Sequence, residues 1–187
     1  MPSPNATSAR PRSDTSVLSP ALRRLLLVVL TLFGLLAINS LYLVVINLAG
    51  QGEQSYQNYF YLLMFLAHLA LGLLLLLPAL LFGALHLRRA WRWRQRNRYA
   101  VRAGLTLYGS VVIVLLTGIL LTRFGFFEVN DPGIRGTAYW LHVLLPLVVM
   151  WLFVLHRLAG PRLNWRPGAY WGAAGVLLTA AALLLHI

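Results

Sequence analysis

Cysteine and lysine are both absent from the 187-residue chain. Without cysteine the protein can form no disulfide, no thiolate metal site and no thioether bond to a c-type haem. Acidic residues are also scarce, with four Asp and Glu against 16 basic residues, all of them arginine. Charged residues make up only 11 % of the chain, against roughly 25 % in soluble domains. So little charge predicts a chain whose main solvent is lipid.

Long apolar runs take the place of the missing charge, and 59 % of the residues are hydrophobic. The runs cover residues 25–49, 59–87, 101–122, 138–158 and 169–187. A transmembrane helix needs about 20 apolar residues to cross roughly 30 Å of hydrocarbon. We therefore predict an all-α membrane bundle of about five transmembrane helices over residues 21–187, with a disordered cytoplasmic tail over 1–20. The fifth run is the shortest and reaches the last residue, which leaves open a longer protein.

The arginines are concentrated in alternate loops. Residues 88–102 contain seven arginines and 157–168 contain three, with no acid in either loop. The positive-inside rule places both loops and the N-terminus in the cytoplasm, as in a bacterial inner membrane. A net charge of +12 would suggest nucleic acid as the partner of a soluble domain. Because these arginines lie in loops between apolar runs, their positive charge is better explained as a signal for membrane topology. The predicted partner is therefore the lipid bilayer, and we predict no nucleic-acid partner.

Five histidines lie within or at the ends of these runs: His68, His86, His142, His156 and His186. His68 and His86 are 18 positions apart, which is about five helical turns, so they share one face of the second span. His142 and His156 are 14 positions apart and lie within roughly 40° of each other on the fourth. Buried ionisable residues in a membrane indicate function. His186 is better explained as an interfacial residue or as a contact with a redox partner.

The second and fourth spans run in the same direction, so each carries one histidine near the outer side and one near the cytoplasm. We name His68 with His142 the outer pair, and His86 with His156 the inner pair. Each pair can ligate a haem iron through two axial imidazoles. Zinc fits poorly, because four ligands must converge and the two histidines of each helix are more than about 20 Å apart. Pro78 and helix tilt would absorb the unequal spacing.

Small and basic residues accompany the histidines. Gly72 and Gly83 lie one turn from His68 and His86 and would leave room for a flat macrocycle, although helix packing explains them equally well. Arg135, on the outer side, is the better candidate for binding a haem propionate. The third span permits close approach in the same way, through Gly104, Gly109 and Gly118. Other propionate candidates have a stronger explanation as topology signals: Arg88, Arg89, Arg157 and Arg162.

Three segments carry a family resemblance: YFYLLMFLAHLALG, DPGIRGTAYWLHVLLPL and HRLAGPRLNW. They resemble the membrane module of bacterial di-haem cytochromes b, the b-type anchors that accompany or are fused to periplasmic multihaem c-type cytochromes. The resemblance covers about residues 39–168 and implies the same axial pairs, binding two haem b groups. The 18-residue spacing on the second span departs from well-known versions. Because no Cys-x-x-Cys-His motif is present, the c-type cytochrome would be a separate polypeptide.

These observations favour a membrane electron-transfer subunit between the quinone pool and a periplasmic redox partner, in a respiratory or photosynthetic chain. Quinone is a further candidate ligand. We expect the electron-carrying subunit of a quinone-linked oxidoreductase rather than an independent enzyme, and we identify no catalytic residue. Glu128 and Asp131 could relay protons, but ordinary loop positions explain them better. The alternative is a non-redox membrane anchor or small transporter. Acidic residues within the spans would favour transport, and the spans have none. The polar residues of the first span, Asn39, Ser40 and Asn47, are better explained by hydrogen bonds between helices.

Overall fold

The computed structural model describes residues 19–50, 57–93, 95, 98–123, 128–159 and 166–186. The regular structure within these ranges is entirely helical. Its helices are α1 (Pro20–Ala49), α2 (Tyr59–Ala90), α3 (Arg98–Leu121), α4 (Pro132–Leu158) and α5 (Arg166–His186), with a short 3-10 turn at Trp91–Trp93. Of the predicted tail at 1–20, residues 1–18 lie outside the described residues.

All five α-helices are long and apolar enough to cross a membrane, so the chain is a multi-pass membrane protein. The predictions of an all-α fold and of five spans are confirmed. Large apolar side chains point outward along the helices, including Leu63 (65 % exposed), Leu77 (73 %) and Leu147 (65 %). Exposing such surface to water costs about 25 cal/mol per Å², whereas a lipid bilayer solvates it. The helical faces that leave the bundle are therefore lipid-facing.

Two of the helices begin with the same capping signal. Ser19 Oγ accepts a hydrogen bond from the Leu22 amide (3.4 Å), and Asp131 Oδ1 accepts one from the Ile134 amide (2.8 Å). A proline follows each cap at the first helical position, where its missing N–H has no cost. α4 consequently begins at Pro132 rather than at residue 138, because capping extends the helix beyond the apolar run that predicted it.

The helices pack as two antiparallel pairs, α1 against α2 and α3 against α4. α2 joins the two pairs by packing on α3, and α5 lies mainly against α1. Among the described residues, α2 and α4 make little close backbone contact. The two helices that carry the histidines are therefore not in close backbone contact, and their side chains meet across the gap between them.

Polar side chains join α1 to α2 within this bundle. Asn39 Nδ2 donates to the Met64 carbonyl (2.9 Å), and Asn47 Nδ2 donates to Tyr61 Oη (3.2 Å). Asn39 is 3 % exposed, and a polar group buried at this depth needs such a partner. The predicted role of these asparagines in bonding between helices is confirmed.

Candidate functional site: two histidine pairs

The histidines of α2 and α4 meet in the gap between those helices. The ring centroids of His68 and His142 are 6.0 Å apart, and those of His86 and His156 are 6.1 Å apart. The structure thus brings together the four residues as the same outer and inner pairs that the sequence predicted. Their nearly equal separations arise although 18 positions divide the histidines of α2 and 14 divide those of α4. α2 remains one continuous helix across this interval, with Pro78 inside it.

This ring separation is compatible with two imidazoles on opposite sides of one metal ion. An imidazole nitrogen lies about 2 Å from a transition-metal ion that it ligates, and the ring centre lies roughly 1 Å further back. Two imidazoles on opposite sides of one ion therefore have centroids about 6 Å apart. The ring planes are nearly perpendicular, at 83° in the outer pair and 89° in the inner pair. Edge-to-face packing of unliganded rings spans a similar distance, about 4.5–7 Å, so the hydrogen bonds of the rings must also be considered.

Both histidines of α4 are held by backbone carbonyls of α3. His142 Nδ1 donates to the Val114 carbonyl, and His156 Nδ1 donates to the Ala100 carbonyl, each at 3.1 Å. Because a carbonyl can only accept, the proton of the neutral ring is on Nδ1 and the lone pair is on Nε2. A second nitrogen that donates to a backbone carbonyl is the usual arrangement of a metal-ligating histidine. Both rings are in the tautomer that a metal ion needs.

The histidines of α2 are held differently. His68 Nδ1 lies within hydrogen-bond distance of Ser40 Oγ (3.3 Å). The ring of His86 stacks on Phe82, with centroids 5.4 Å apart and planes 9° from parallel. Within the described part of the chain, the buried Nδ1 of His86 has no hydrogen-bond partner. Each site therefore combines a carbonyl-held ring from α4 with a less constrained ring from α2.

Two glycines of α3 allow the α4 histidines to approach its backbone. A Cβ placed on Gly118 would lie 2.9 Å from His142 Cε1, and one on Gly104 would lie 2.9 Å from His156 Cε1. These distances are shorter than a van der Waals contact. A Cβ on Gly109, between them on the same helix, would have no such neighbour within 4 Å. Gly104 and Gly118 thus make the histidine contacts possible, and Gly109 does not take part.

The glycines of α2 have other surroundings. A Cβ on Gly72 would meet no neighbouring atom within 4 Å. The space beside Gly83 is filled by the ring of Tyr108, whose Oη donates to the Leu80 carbonyl (3.2 Å). Gly83 therefore serves the packing of α3 on α2, the second of the two explanations given for it above.

The arginine proposed as a propionate ligand lies at the outer end of the bundle. Arg135 precedes His142 by two turns on the same face of α4. Its guanidinium donates to the carbonyls of Val129 (3.3 Å) and Leu121 (3.5 Å). These bonds hold the Arg135 side chain against the C-terminal end of α3. They use two of the five N–H groups of arginine, so the guanidinium can donate further hydrogen bonds.

The basic residues at the other end lie beside the inner pair. Arg88 and Arg89 follow His86 in the last turn of α2, and Arg157 directly follows His156. Arg89 Nη1 donates to Ser19 Oγ (2.8 Å), which ties the start of α1 to the end of α2. Arg162 lies outside the described residues.

The remaining sequence candidates lie apart from the pairs. His186 Nδ1 is bonded to Tyr42 Oη (2.8 Å), between α5 and α1. Glu128 forms an ion pair with Arg123, with Oε1 and Nε 3.2 Å apart. Asp131 caps α4. These contacts give each of the three a structural role.

Sequence reasoning missed the partners of the α4 histidine rings, namely the Val114 and Ala100 carbonyls. One signal could have found them. Gly104 and Gly118 on α3 are 14 positions apart, the same spacing as the histidines of α4. In an antiparallel helix pair, equal spacings on the two helices place both glycines opposite both histidines.

The number of side chains at each pair limits the kind of metal centre that it could hold. Within the described residues, no group of three or more His, Cys, Asp or Glu side chains could hold a metal ion. A haem iron needs only two protein ligands, since the porphyrin supplies the other four. The chain matches no family model, no curated protein and no solved structure. The functional argument therefore depends on the geometry of the two pairs.

Proposed function

We propose that this chain is a membrane electron-transfer subunit that binds two b-type haems, one at each histidine pair. The single observation that carries this proposal is the presence of two imidazole pairs with centroids 6.0 and 6.1 Å apart. A pair at one depth could be a packing contact. Two pairs on the same two helices, with matching separations and the same carbonyl support from α3, favour two ligand sites.

The side chains at each pair fit a haem ligated by two imidazoles. α2 and α4 make little close backbone contact among the described residues, and Gly104 and Gly118 let the α4 rings lie against α3 with Nδ1 on its carbonyls. Apolar helices exclude water from such a site. His68 with His142 and His86 with His156 would each hold one haem, and each haem would supply a one-electron iron couple. The chain's own part is to fix the tautomer of each α4 ring, position the α2 rings opposite, and keep water out.

The proposed setting is a bacterial inner membrane with the N-terminus in the cytoplasm. It follows from the arginine-rich loops at 88–102 and 157–168. Two sites at different depths would connect the two faces of the bilayer. We propose the quinone pool as one partner and a periplasmic c-type cytochrome, or another membrane subunit, as the other. In this arrangement the chain is the electron-carrying subunit of a quinone-linked oxidoreductase.

Haem content and absorbance test the proposal. Protein purified from haem-replete cells should show a dithionite-reduced b-type spectrum with about two haems per chain. His142→Ala removes one axial ligand of the outer pair and should leave about one haem. His186→Ala changes a histidine that bonds Tyr42 and should retain two.

The contrary outcomes are equally specific. A colourless wild-type protein that is nevertheless folded would favour the non-redox anchor or small transporter. Unchanged haem content in His142→Ala would remove His142 from the ligand set. Loss of haem in His186→Ala, with a helical circular dichroism spectrum preserved, would contradict the assignment of the sites to α2 and α4.

A further inference from the structure

The four rings of the two histidine pairs are not held equally. The Nδ1 atoms of His142 and His156 are bonded to backbone carbonyls of α3, each at 3.1 Å. The Nδ1 of His68 lies 3.3 Å from Ser40 Oγ. The Nδ1 of His86 is buried as well, but the residues that the structure describes offer it no hydrogen-bond partner. One ring of the inner pair therefore lacks the support that the other three rings have.

The contact that His86 does make is with an aromatic ring. Phe82, one turn earlier on α2, stacks on the imidazole with centroids 5.4 Å apart and planes 9° from parallel. A stacked ring covers the face of an imidazole, whereas Nδ1 lies on its edge, so Phe82 supplies no acceptor there. His86 also lies only four residues before α2 ends at Ala90. Its ring is packed near a helix end without being fixed by a hydrogen bond.

This difference affects how firmly each ring can hold an iron. Ligation through Nε2 places the proton of a neutral imidazole on Nδ1. For His86 that N–H would be buried and unpaired, which is unfavourable. Loss of such a second partner typically weakens metal binding by about 10–100-fold, because the partner both orients the ring and raises its basicity. Both effects make His86 the ring that leaves an iron most readily.

His156 lies on the other side of the inner site and is fixed by α3. Its Nδ1 bonds the Ala100 carbonyl, and its Cε1 lies 2.9 Å from the place of a Cβ on Gly104. It would therefore stay on the iron when His86 leaves. The position that His86 gives up lies beside the apolar ring of Phe82. An uncharged diatomic molecule needs no hydrogen-bond partner in such a place, whereas burial of a polar ligand without one is costly.

We propose that His86 is the exchangeable ligand of the four, and that the reduced inner site binds a neutral diatomic gas in its place. With carbon monoxide, the bond between His86 Nε2 and Fe(II) breaks and a bond between Fe(II) and carbon forms. The oxidation state of the iron does not change, and His86 leaves as a neutral ring. In the oxidised protein, which carbon monoxide does not bind, both rings of each pair remain ligands. This inference rests on the proposed function.

A carbon monoxide titration of the dithionite-reduced, haem-loaded full chain tests the exchange by its absorbance difference spectrum. One carbon monoxide per two haems should bind first, at a concentration at least about tenfold below that needed for the second haem. His142→Ala, which keeps the inner site, should bind one carbon monoxide per haem. His156→Ala, which keeps the outer site, should bind little in the same range. Two haems that bind no carbon monoxide, or that bind it equally, would overturn the inference.

Ser40→Ala tests the cause without changing a ligand. It removes the partner of His68 Nδ1, so the outer site should take up carbon monoxide about 10–100-fold more readily. Thr106→Ala is the control, because it removes an exposed hydroxyl that bonds the Arg102 carbonyl within α3 (3.1 Å). It should still bind one carbon monoxide per two haems.

The two variants and the haem content separate the outcomes. Uptake by Ser40→Ala that equals the wild-type uptake would show that the hydrogen bonds of the rings do not decide which ligand is exchanged, and would overturn the inference. A folded protein without haem would instead overturn the proposed function.

Discussion

Gly118 lies where the ring of His142 comes closest to the backbone of α3. The ring is drawn there by its hydrogen bond to the Val114 carbonyl, one turn earlier on the same helix. A Cβ on Gly118 would lie 2.9 Å from His142 Cε1, closer than a van der Waals contact. Gly104 stands in the same relation to His156. At both sites a glycine and a carbonyl of α3 together orient a histidine ring of α4.

Gly118→Ala should therefore displace the His142 ring and weaken haem binding at the outer pair. Overpacking of this kind costs about 1–3 kcal/mol. Gly109→Ala is the matched control on the same helix, because its Cβ would meet no such neighbour within 4 Å, and both variants gain about 1 kcal/mol of helix propensity. Haem-to-protein ratios after detergent exchange should fall towards one for Gly118→Ala and stay near two for Gly109→Ala. Equal ratios would show that the close contact is not needed.

The sequence could predict the four ring residues but not what holds them. Histidine is rare inside apolar spans, so His68 and His142 are visible from composition and spacing alone. The Val114 and Ala100 carbonyls are not, because every residue has a carbonyl and only the packing of α3 on α4 selects these two. Gly83 shows the converse. Its position one turn from His86 fits a cofactor contact, yet the ring of Tyr108 occupies that space.

Among the elements, α5 lies mainly against α1 and contributes no residue to the two histidine pairs. Its contact with α1 includes a buried hydrogen bond between Tyr42, which is 0 % exposed, and His186. Asn58 Nδ2 adds a bond to the carbonyl of His186 (3.0 Å). These bonds attach the C-terminal end of α5 near the start of α2, away from both histidine pairs.

Tyr42→Phe removes the bond to His186 while keeping the ring. The expected cost is about 1 kcal/mol in the free energy of unfolding, measured by denaturant titration of the purified protein in detergent. Haem content should stay at about two per chain, because α5 contributes no ligand. A variant that unfolds normally but loses haem would show that α5 belongs to the haem sites.

Element boundaries followed from the sequence only where hydropathy and capping agreed. α2 begins at Tyr59, as predicted, because Asn58 caps it just where the apolar run starts. α4 begins at Pro132 rather than at residue 138, because Gly133, Arg135 and Thr137 lower the hydropathy of its first turns without breaking the helix. The separation of α2 from α4 was not predictable, since helix pairing depends on side-chain fit that a hydropathy profile does not contain.

At the scale of the whole molecule, the orientation in the membrane is a prediction that the absence of cysteine makes easy to test. Single cysteines can be introduced without background labelling. With the predicted topology, Asn130→Cys, in the loop before α4, should react with a membrane-impermeant maleimide in spheroplasts. Gln95→Cys, in the arginine-rich loop after α2, should react only after the membrane is permeabilised.

The opposite labelling pattern would invert the chain in the membrane. It would leave the two histidine pairs intact, because they depend on contacts within the bundle.

The central claim is that the rings of α2 and α4 ligate two irons, and low-temperature electron paramagnetic resonance of the oxidised protein tests it most directly. With haem quantified against protein, two low-spin ferric centres per chain are expected. Their signals should be strongly anisotropic, because the ring planes are 83° and 89° apart and bis-imidazole ligation leaves no weak axial position. A predominantly high-spin signal, or protein from haem-replete cells without any haem signal, would contradict the account.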